Sequence, residues 1–587
     1  MAHNTSSHGE RAGSLGDLAA RHRVLICLVC LAAIAIALRL YGLGWRGITH
    51  PEVYVPGIGL PPGISEPPAR FTLADNLDFH FHSEPHPVGW YLAMFGWTSI
   101  FGTTEWWLRL PGAIFGAASI PLIYRLGTVS FDRTVGLASA ALLTAHGMHI
   151  FWSQAARMYV PGGFFAILSM WLLVAAIYGQ RRRPGVELGY VAATFGGIAT
   201  TDLFWPFLLL QVGWALMVLP AGQPFRLADL LGLRFAGVHR VIQLQAIVLM
   251  ISAPELLHGM YLARSNAANP PTAIFLRDYL SMGFISARGD NALGETGIWQ
   301  VLRLALLAAS LALLAAGLRS PGARHPDAPS GPDLPRWLPG AVALAMIAFM
   351  VWLAVIATRR NALLMLIAVS PVLCLALPAI SRLVTDVLAR LRPGLQRRAL
   401  QAGPKPLLVG IALIGPAVLF LLSFRVTLLA PRAFLVFVPA LLVLAAAGAA
   451  RVARDRLSAP ALALVVLVFA SGSLPYMMTD PGSPRDYKGL AIALQAELQP
   501  DDLVLVRHRH WQDTPLFYYM PDAHYVTADY KAVLAAHPQA RLWVVTWSED
   551  AEPIKLDEER QAALGGYHRA DDVTAWRGRA ELYLPDR

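Results

Sequence analysis

The sequence is poor in charged residues and in cysteine. Asp, Glu, Lys and Arg make up 15% of the 587 residues, whereas hydrophobic residues make up 56%. This balance excludes an ordinary soluble protein, because apolar runs recur along most of the chain. The three cysteines, Cys27, Cys30 and Cys374, all lie inside such runs. They are predicted to be small buried hydrophobic residues, which excludes a disulfide framework or a cysteine-rich metal site.

The sequence also lacks a basic patch, a convincing internal repeat and a glycine-rich phosphate loop. The net charge is +10, but the arginines punctuate the apolar runs instead of forming one patch. The positive excess therefore suits loops that face anionic lipid, and nucleic acid is not an expected partner. The absence of a glycine-rich loop fits a reaction that needs no nucleotide.

The apolar runs predict an all-α, polytopic membrane protein with about 13 transmembrane helices between residues 24 and 477. Residues 1–23 are polar and predict a cytoplasmic tail, and the run 24–43 is long enough to be a first span. The short aromatic run 86–101 could cross the membrane or lie at its surface. If this run does not cross, every basic cluster lies on the cytoplasmic side, whereas most would lie outside if it did cross. The run is therefore predicted not to cross the membrane. The predicted spans are 24–43, 108–127, 134–152, 159–178, 188–204, 205–220, 241–257, 298–318, 340–357, 361–380, 406–424, 433–450 and 458–477.

Three segments are then predicted to lie outside the cytoplasm. They are the loop 44–101, the loop 258–297 and the tail 478–587. The tail alternates helical stretches with short β-type runs, such as residues 503–506 and 541–547, and this alternation predicts a small C-terminal, extracytoplasmic α/β domain.

The loop 44–101 is the first candidate site. It is too polar and too rich in proline to cross a bilayer, and its aromatic and proline content favours an ordered loop over a solvated connector. Carboxylates and imidazoles beside a membrane can transfer protons, for example from an acceptor hydroxyl. The loop contains four acids and four histidines, which are Glu52, Asp75, Asp78, Glu84, His50, His80, His82 and His86.

Polar groups also interrupt the outer ends of several predicted spans. An arginine there can hold a phosphate bidentately, or it can simply extend towards lipid headgroups. The phosphate interpretation is favoured for Arg157, because positive residues are otherwise scarce outside and this one lies in a dense polar motif. His146 and His149 are three residues apart, but two imidazoles without a third ligand favour buried histidines over a metal site. The interrupting groups are Ser153, Gln154, Arg157, Tyr159, Thr200, Thr201, Asp202, Thr358, Arg359, Arg360, Asn361, Arg425 and Arg432.

Five segments carry a family resemblance through their order and spacing. They are EPHP at 84–87, TEWWLRLPGAIFG at 104–116, FDRTVGLASAALLTAHGMHIFWSQAARMY at 131–159, PRAFLVFVPALLVLA at 431–445 and RDYKGLAIALQAELQPDDLVLV at 485–506. The first resembles an acid-x-His/Lys-Pro-Pro signature, with Val88 in place of the second proline. Together the segments resemble the dolichyl-phosphate-mannose protein mannosyltransferases and their bacterial relatives, including the lipid A aminoarabinose transferase. The resemblance implies a GT-C-like membrane fold.

The resemblance also implies which acids take part in catalysis. The family usually carries an Asp-Glu pair just after the first span, and its Asp is the expected base. Here the matching stretch is THPE at 49–52, in which Glu52 is the only acid. Glu52 is therefore expected to be the catalytic base, although His50, Asp75 or Asp78 could take that place. Glu84 is expected to be a second active-site acid that orients the acceptor or the base.

The remaining site residues are expected to bind the donor phosphate. By the same resemblance, His86 and Arg157 are the candidates for direct contact with the phosphate, and Tyr159 is expected to donate a hydrogen bond. Arg432 opens the penultimate span and is a candidate for an additional site residue. No metal ligand is assigned, and no cofactor is required, although a divalent cation stays open.

The implied function is transfer of a sugar from a polyprenyl-phosphate donor to a lipid, glycan or protein acceptor. The transfer is expected at the outer face of the plasma (inner) membrane. Inversion at the anomeric carbon is implied as well. The alternatives are a transporter or flippase of a lipid-linked substrate, and a scaffold with a degenerate site. A transporter would need a polar path with ionisable residues at mid-depth and often repeat symmetry. The polar groups of this sequence gather at one face instead.

Overall fold

The computed structural model describes helices from the N-terminal half, two shorter helical parts and the C-terminal region. The described residues are 6–49, 52, 53, 55, 72–82, 86–178, 183–218, 241, 244, 245, 247–249, 251, 252, 255, 297–322, 403–422, 431–452, 486–506, 514–527, 529–547 and 558–586. The predicted spans 340–357, 361–380 and 458–477 lie outside them, as do residues 258–296 of the second predicted outer loop.

Helices form nearly all of the described structure before residue 486. Their bounds are α1 Ser6–Leu40, α2 Leu73–His82, α3 Val88–Phe101, α4 Glu105–Ser130, α5 Arg133–Ala145, α6 Gly147–Ser153, α7 Tyr159–Tyr178, α8 Pro184–Ile198, α9 Phe204–Val218, α10 Gly297–Leu318, α11 Lys405–Val409, α12 Gly415–Leu422 and α13 Val438–Val452. A π-helical turn, Gly410–Ile414, joins α11 to α12, and a 3-10 helix, Pro431–Val436, precedes α13.

Three of these helices are long and apolar enough to cross a membrane. They are His22–Leu40 within α1, Glu105–Ser130 and Tyr159–Tyr178, and the bent pair α5–α6 would add a fourth. Shorter apolar helices occupy four further predicted spans, at Phe204–Ala215, Ala308–Leu318, Lys405–Leu421 and Val438–Val452. The prediction of a helical membrane protein is therefore supported at these positions, whereas the count of about 13 spans stays a prediction.

The first helix differs from its prediction in two respects. It begins at Ser6, so much of the predicted polar tail 1–23 is helical. Cys27 and Cys30 are exposed on this helix, so the prediction that they are buried is wrong. Only one face of α1 packs against the other helices, and lipid can cover the apolar residues of the opposite face as well as protein can. Cys374 lies outside the described residues.

The predicted span 134–152 is a broken helix. Its two parts, α5 and α6, meet at 59°. His146 stands at the break with an extended backbone (φ −70°, ψ 109°), and its Nδ1 accepts a hydrogen bond from the backbone N–H of His149 at 3.2 Å. A side-chain acceptor of this kind stabilises the start of the new helix. Both histidines are buried, in agreement with the prediction.

A network of buried polar side chains ties α7, α8 and α9 together. The hydroxyl of Tyr190 donates to Gln211 Oε1 at 2.8 Å and accepts from Gln245 Nε2 at 3.1 Å. Ser169 lies 2.9 Å from the hydroxyl of Thr194 and accepts from Gln211 Nε2 at 3.0 Å. Such bonds between helices in a membrane typically contribute about 0.6–2 kcal/mol each. The network thereby fixes the turn between α8 and α9, which carries Asp202.

Five strands and four helices make up the described C-terminal region. The strands are β1 Leu503–Leu505, β2 His524–Val526, β3 Leu542–Trp547, β4 Tyr567–Ala575 and β5 Gly578–Pro585, and the helices are α14 Tyr487–Glu497, α15 Thr514–Tyr519, α16 Tyr530–Ala536 and α17 Glu558–Ala563. The strand order is β2-β1-β3-β5-β4, with β1 parallel to β2 and β3, and β5 antiparallel to β3 and β4. The expected α/β mixture is present, and its status as a separate, external domain stays a prediction.

The C-terminal region shares a hydrophobic cluster with the helical part. Val504, Phe517 and Trp543 from this region lie in one buried cluster with Ile48, Met94, Met158 and Tyr159. The loop after α1 and the start of α7 are therefore covered by the C-terminal region, at the same end of the helices.

Helices α10 and α13 approach each other through glycine. A Cβ added to Gly317 of α10 would collide with the carbonyl oxygen of Leu444, and one added to Gly448 of α13 would collide with that of Leu313. Small residues allow helix backbones in a membrane to come this close.

We expect Gly448→Ala to destabilise the protein, although alanine favours helices by about 1 kcal/mol over glycine. The added methyl group must push α10 away, and overpacking of this kind typically costs about 1–3 kcal/mol. Gly96→Ala is the matched control, because no atom lies within 4 Å of a Cβ at Gly96 in α3. Thermal unfolding in detergent should show a lower midpoint for Gly448→Ala only, and equal midpoints for the two variants would contradict the close packing.

Candidate active site

A buried ion pair lies where α1 ends and α4 begins. Arg109 Nε donates to Glu52 Oε1 at 2.8 Å and its Nη2 donates to Oε2 at 2.8 Å, so the guanidinium holds the carboxylate bidentately. The backbone N–H of Ala156 donates to Oε1 at 3.0 Å, and that of Thr49 donates to Oε2 at 2.9 Å. The side chains of Arg109 and Glu52 are 4% and 2% exposed.

Arg109 also fixes the chain that leaves α1. Its Nη1 donates to the carbonyl oxygens of Leu43 at 3.1 Å and Arg46 at 2.7 Å, and its Nη2 donates to that of Gly47 at 2.8 Å. One side chain thus holds three successive parts of the loop besides the Glu52 carboxylate. The sequence analysis did not single out Arg109, although an arginine inside an apolar helix is a costly residue and usually has a partner.

The surroundings of Glu52 keep its carboxyl ionised. Burial alone raises the pKa of this carboxyl, but the charge and the hydrogen bonds of Arg109, with the N–H groups of Thr49 and Ala156, outweigh burial and lower it. Both carboxylate oxygens accept hydrogen bonds, so the structure gives Glu52 a role in holding the loop. Its role as catalytic base stays a prediction.

The turn between α6 and α7 carries Arg157. Arg157 is 7% exposed, and its guanidinium carbon lies 5.9 Å from the ring centre of Tyr159. Tyr159 begins α7 and packs edge-to-face on Trp152, with ring centres 4.8 Å apart. Because the backbone N–H of Ala156 in the same turn donates to Glu52, the structure brings Glu52 close to the turn that carries Arg157 and Tyr159.

Gln154 anchors this turn to the end of α1. Its Nε2 donates to the carbonyl oxygens of Leu38 at 2.9 Å and Tyr41 at 2.7 Å, and its Oε1 accepts from Arg46 Nη1 at 2.7 Å. All of its amide atoms therefore make bonds to α1 or to the loop that follows it, and the turn cannot move independently of this loop.

Two pairs of histidine and acid lie beside the start of α3. His86 Nδ1 is 3.6 Å from Asp202 Oδ2, with 36% and 28% of the two side chains exposed. His80 Nε2 is 3.5 Å from Glu255 Oε1, which also accepts from the backbone N–H of Val88 at 3.0 Å. The sequence analysis noted Asp202 but missed Glu255, whose only signal is an acid near the end of the predicted span 241–257.

Of the other predicted site residues, Asp75, Asp78 and Arg432 lie among the described residues. Asp75 Oδ2 accepts hydrogen bonds from the N–H and the hydroxyl of Thr72, the residue before α2, at 3.1 and 2.7 Å. The Thr72 hydroxyl accepts from the N–H of Asp75 at 3.1 Å in return, so the two residues form a capping box, and Asp78 is exposed on the same helix. Arg432 lies in the 3-10 helix that precedes α13. His50 and Glu84 lie outside the described residues, and so do Thr358, Arg359, Arg360, Asn361 and Arg425.

The described residues include no group of three or more His, Cys, Asp or Glu side chains that could hold a metal ion. The candidate site is built from arginines, acids, histidines and Tyr159.

The C-terminal region contacts the loop that contains Glu52. The backbone N–H of Ile48 donates to the hydroxyl of Tyr519 at 2.5 Å, and this hydroxyl lies 3.3 Å from Glu105 Oε1. Lys488 Nζ forms an ion pair with the same Glu105 oxygen at 2.8 Å. The loop is thus held from one side by Arg109 and from the other by α14 and α15.

Breaking the buried ion pair on one side should cost more than removing both charges. Arg109→Met leaves the Glu52 carboxylate buried without its cation, which typically costs about 3–5 kcal/mol. Glu52→Gln/Arg109→Met removes both charges, so we expect it to unfold at a higher temperature than Arg109→Met. Thermal unfolding in detergent measures this order, and additive losses in the double variant would show that the two side chains are not coupled.

Comparisons with known proteins agree with the sequence resemblance. Residues 83–218 match the family model of the dolichyl-phosphate-mannose-protein mannosyltransferases. No curated protein matches the chain.

Solved structures match over most of the chain at low identity. ArnT from Cupriavidus metallidurans bound to undecaprenyl phosphate is 14% identical, with a TM-score of 0.40, and the match covers 94% of this chain and 97% of ArnT. Its apo form gives a TM-score of 0.42 at 14% identity, with the same coverage. The oligosaccharyltransferase AglB from Archaeoglobus fulgidus, in complex with an inhibitory peptide and a dolichol-phosphate, is 12% identical, with a TM-score of 0.38 and coverage of 90% of this chain and 69% of AglB.

The matched segment 83–218 contains α3 to α9 and four residues of the site, His86, Arg157, Tyr159 and Asp202. The chain is a membrane protein that resembles the dolichyl-phosphate-mannose-protein mannosyltransferase family over this segment.

Proposed function

We propose that the protein is a membrane glycosyltransferase that moves a sugar from a polyprenyl-phosphate donor to an acceptor outside the cytoplasm. The observation that carries the proposal is the buried turn of Arg157 and Tyr159, which lies inside the segment that matches the mannosyltransferase family. An arginine at the start of a helix is suited to a phosphate, because the guanidinium and the helix N-terminus both favour an anion.

The proposed reaction needs two functions, which are a group that holds the donor phosphate and a base for the acceptor hydroxyl. Arg157 and His86 would hold the donor phosphate, which leaves as polyprenyl phosphate when the bond to the anomeric carbon breaks. Tyr159 would donate a hydrogen bond to the same phosphate. An acid or imidazole would take the proton of the acceptor hydroxyl, and attack from the side opposite the phosphate would invert the anomeric carbon. The plasma membrane is the proposed location, and a lipid, glycan or protein is the proposed acceptor.

Glu52 is the proposed base, and its position supports this assignment. Its Oε1 accepts from the backbone N–H of Ala156, the residue next to Arg157. The carboxylate is ionised, as a base must be. Arg109 and the backbone compete for its lone pairs, however, so His50, Asp75 and Asp78 are the alternatives within the same loop, and Glu84 is the proposed second acid that orients the acceptor or the base.

The pH dependence of kcat/KM should identify the base. If Glu52 is the base, the active form is deprotonated, and its lowered pKa places the loss of activity below about pH 4.3, the usual value for a glutamic acid. A histidine base such as His50 would instead lose activity as the pH falls through about 6.5. Intrinsic fluorescence at each pH serves as the control for unfolding, and an acid limb near pH 6.5 would exclude Glu52.

The donor site is tested by Arg157→Lys. Lysine keeps the positive charge but loses the planar fork that binds two phosphate oxygens. In nanodiscs containing an undecaprenyl-phosphate-linked radiolabelled sugar, we expect about a tenfold or greater loss of kcat/KM, because a charged hydrogen bond is typically worth about 1.5–3 kcal/mol. Arg125→Lys is the matched control, since Arg125 is exposed on α4 far along the helix from its start.

Two outcomes would count against the proposal. Unchanged kcat/KM in Arg157→Lys would show that Arg157 does not hold the donor phosphate and has a structural role only. Envelope glycans, glycolipids and glycoproteins with identical mass spectra, in cells with and without the protein, would exclude sugar transfer as its function.

A further inference from the structure

Arg39 is a fully buried arginine in the last turn of α1. Its side chain is 0% exposed and lies within the candidate span His22–Leu40. An arginine that extended towards lipid headgroups would have its charged end exposed. A buried ionisable group in a membrane span is costly, and it usually has a partner or a task.

The partners of Arg39 lie at the break between α5 and α6. Its Nη2 donates to the carbonyl oxygen of Leu143 at 3.2 Å and contacts His149 Nδ1 at 2.9 Å, while its Nη1 donates to Ala35 of its own helix at 3.2 Å. In an unbroken helix, the Leu143 carbonyl would accept from the N–H of Gly147. At the break this carbonyl accepts from the N–H of His146 at 3.4 Å, and Arg39 supplies a second donor. His149 Nδ1 acts as an acceptor because a guanidinium can only donate.

Arg39 also lies close to the end of α6. Ser153, the last residue of α6, donates from its hydroxyl to the carbonyl oxygen of His149 at 2.5 Å. A Cβ at Gly116 of α4 would collide with the Ser153 hydroxyl and would lie 2.9 Å from Arg39 Nε. The glycine therefore leaves room for both side chains, and Arg39 lies beside the last residue of α6.

We propose that Arg39 is a positioning residue for the donor-phosphate site. It fixes the angle between α5 and α6, and α6 leads directly into the turn that carries Arg157. Arg39 itself does not touch the substrate. The proposal rests on the proposed function for its kinetic consequence, but the structural part can be tested without any donor.

Hydrogen exchange tests the structural part. Arg39→Met should raise amide exchange in residues 147–158 by about tenfold or more, because the break loses its second donor. Exchange in α14, Tyr487–Glu497, should stay unchanged. His149→Leu should act in the same way, whereas His149→Asn should keep most of the protection, since Asn Oδ1 can replace His Nδ1 as the acceptor. Arg23→Met, at an exposed position of the same helix, is the control.

Kinetics test the link to the donor site. In the nanodisc assay, Arg39→Met and His149→Leu should each raise the KM for the lipid donor by about tenfold, with a smaller change in the KM for the acceptor, because Arg157 is displaced. The double variant should be little worse than either single variant, since both remove the same contact. His149→Asn should recover most of the donor KM.

The outcomes separate the two proposals. Increased exchange in 147–158 with unchanged donor KM would overturn the positioning role and leave the structural contact in place. Increased exchange throughout the protein, or additive effects in the double variant, would also overturn it, because Arg39 would then support the fold as a whole. No sugar transfer by the unchanged protein would count against the proposed function alone, and the exchange experiment would still decide the role of Arg39 at the break.

Discussion

The bidentate pair between Glu52 and Arg109 is the interaction on which the arrangement of the site depends. A buried ion pair needs further hydrogen bonds to offset the loss of water around both charges. Here those bonds are made by the backbone, from the N–H groups of Thr49 and Ala156 and from three carbonyl oxygens between Leu43 and Gly47. The pair thus connects α1, α4 and the turn before α7.

The C-terminal region completes the same assembly from the opposite side. Tyr519 and Lys488 converge on Glu105 in the first turn of α4, one turn before Arg109. The hydroxyl of Tyr519 also accepts from the N–H of Ile48, so the loop is bonded on both sides. Ile48 belongs to the apolar cluster that the two regions share, and Tyr519 packs against that cluster. The geometry around Glu52 therefore depends on residues that are more than 400 positions apart in the chain.

The sequence allowed the helices to be predicted because their signal is local. Apolar runs of sufficient length specify spans by themselves, and α4 and α7 lie within a few residues of the predicted positions. The strands β1 and β3 likewise coincide with the predicted β-type runs. Which face of α1 meets lipid was not predictable, because a helix that is apolar all round has no polar face to mark its outside. Cys27 and Cys30 were misplaced for that reason.

The contacts of the site depend on partners that no local pattern reveals. The break at His146 occurs without proline, and its stabilising donor comes from Arg39, more than 100 residues earlier. Arg109 was part of a quoted motif, yet nothing near it indicated that its partner would be Glu52. By contrast, the grouping of Arg157 with Tyr159 followed from their adjacency in one motif. A common site could be proposed for side chains that are close in sequence, whereas the residues that hold these side chains in place could not be identified.

The contacts of Glu52 and Arg39 share one electrostatic property, which is that they add no uncompensated negative charge near Arg157. The phosphate of the proposed donor would bring negative charge, so an uncompensated carboxylate beside Arg157 would weaken the proposed binding. Arg109 neutralises Glu52, and the carboxylate can therefore approach the backbone next to Arg157 without adding net negative charge there. Arg39 holds the break between α5 and α6 through a carbonyl oxygen and a histidine, which adds no carboxylate to the neighbourhood either. These supports thus add no uncompensated negative charge, and the turn retains the positive character that the proposed phosphate site requires.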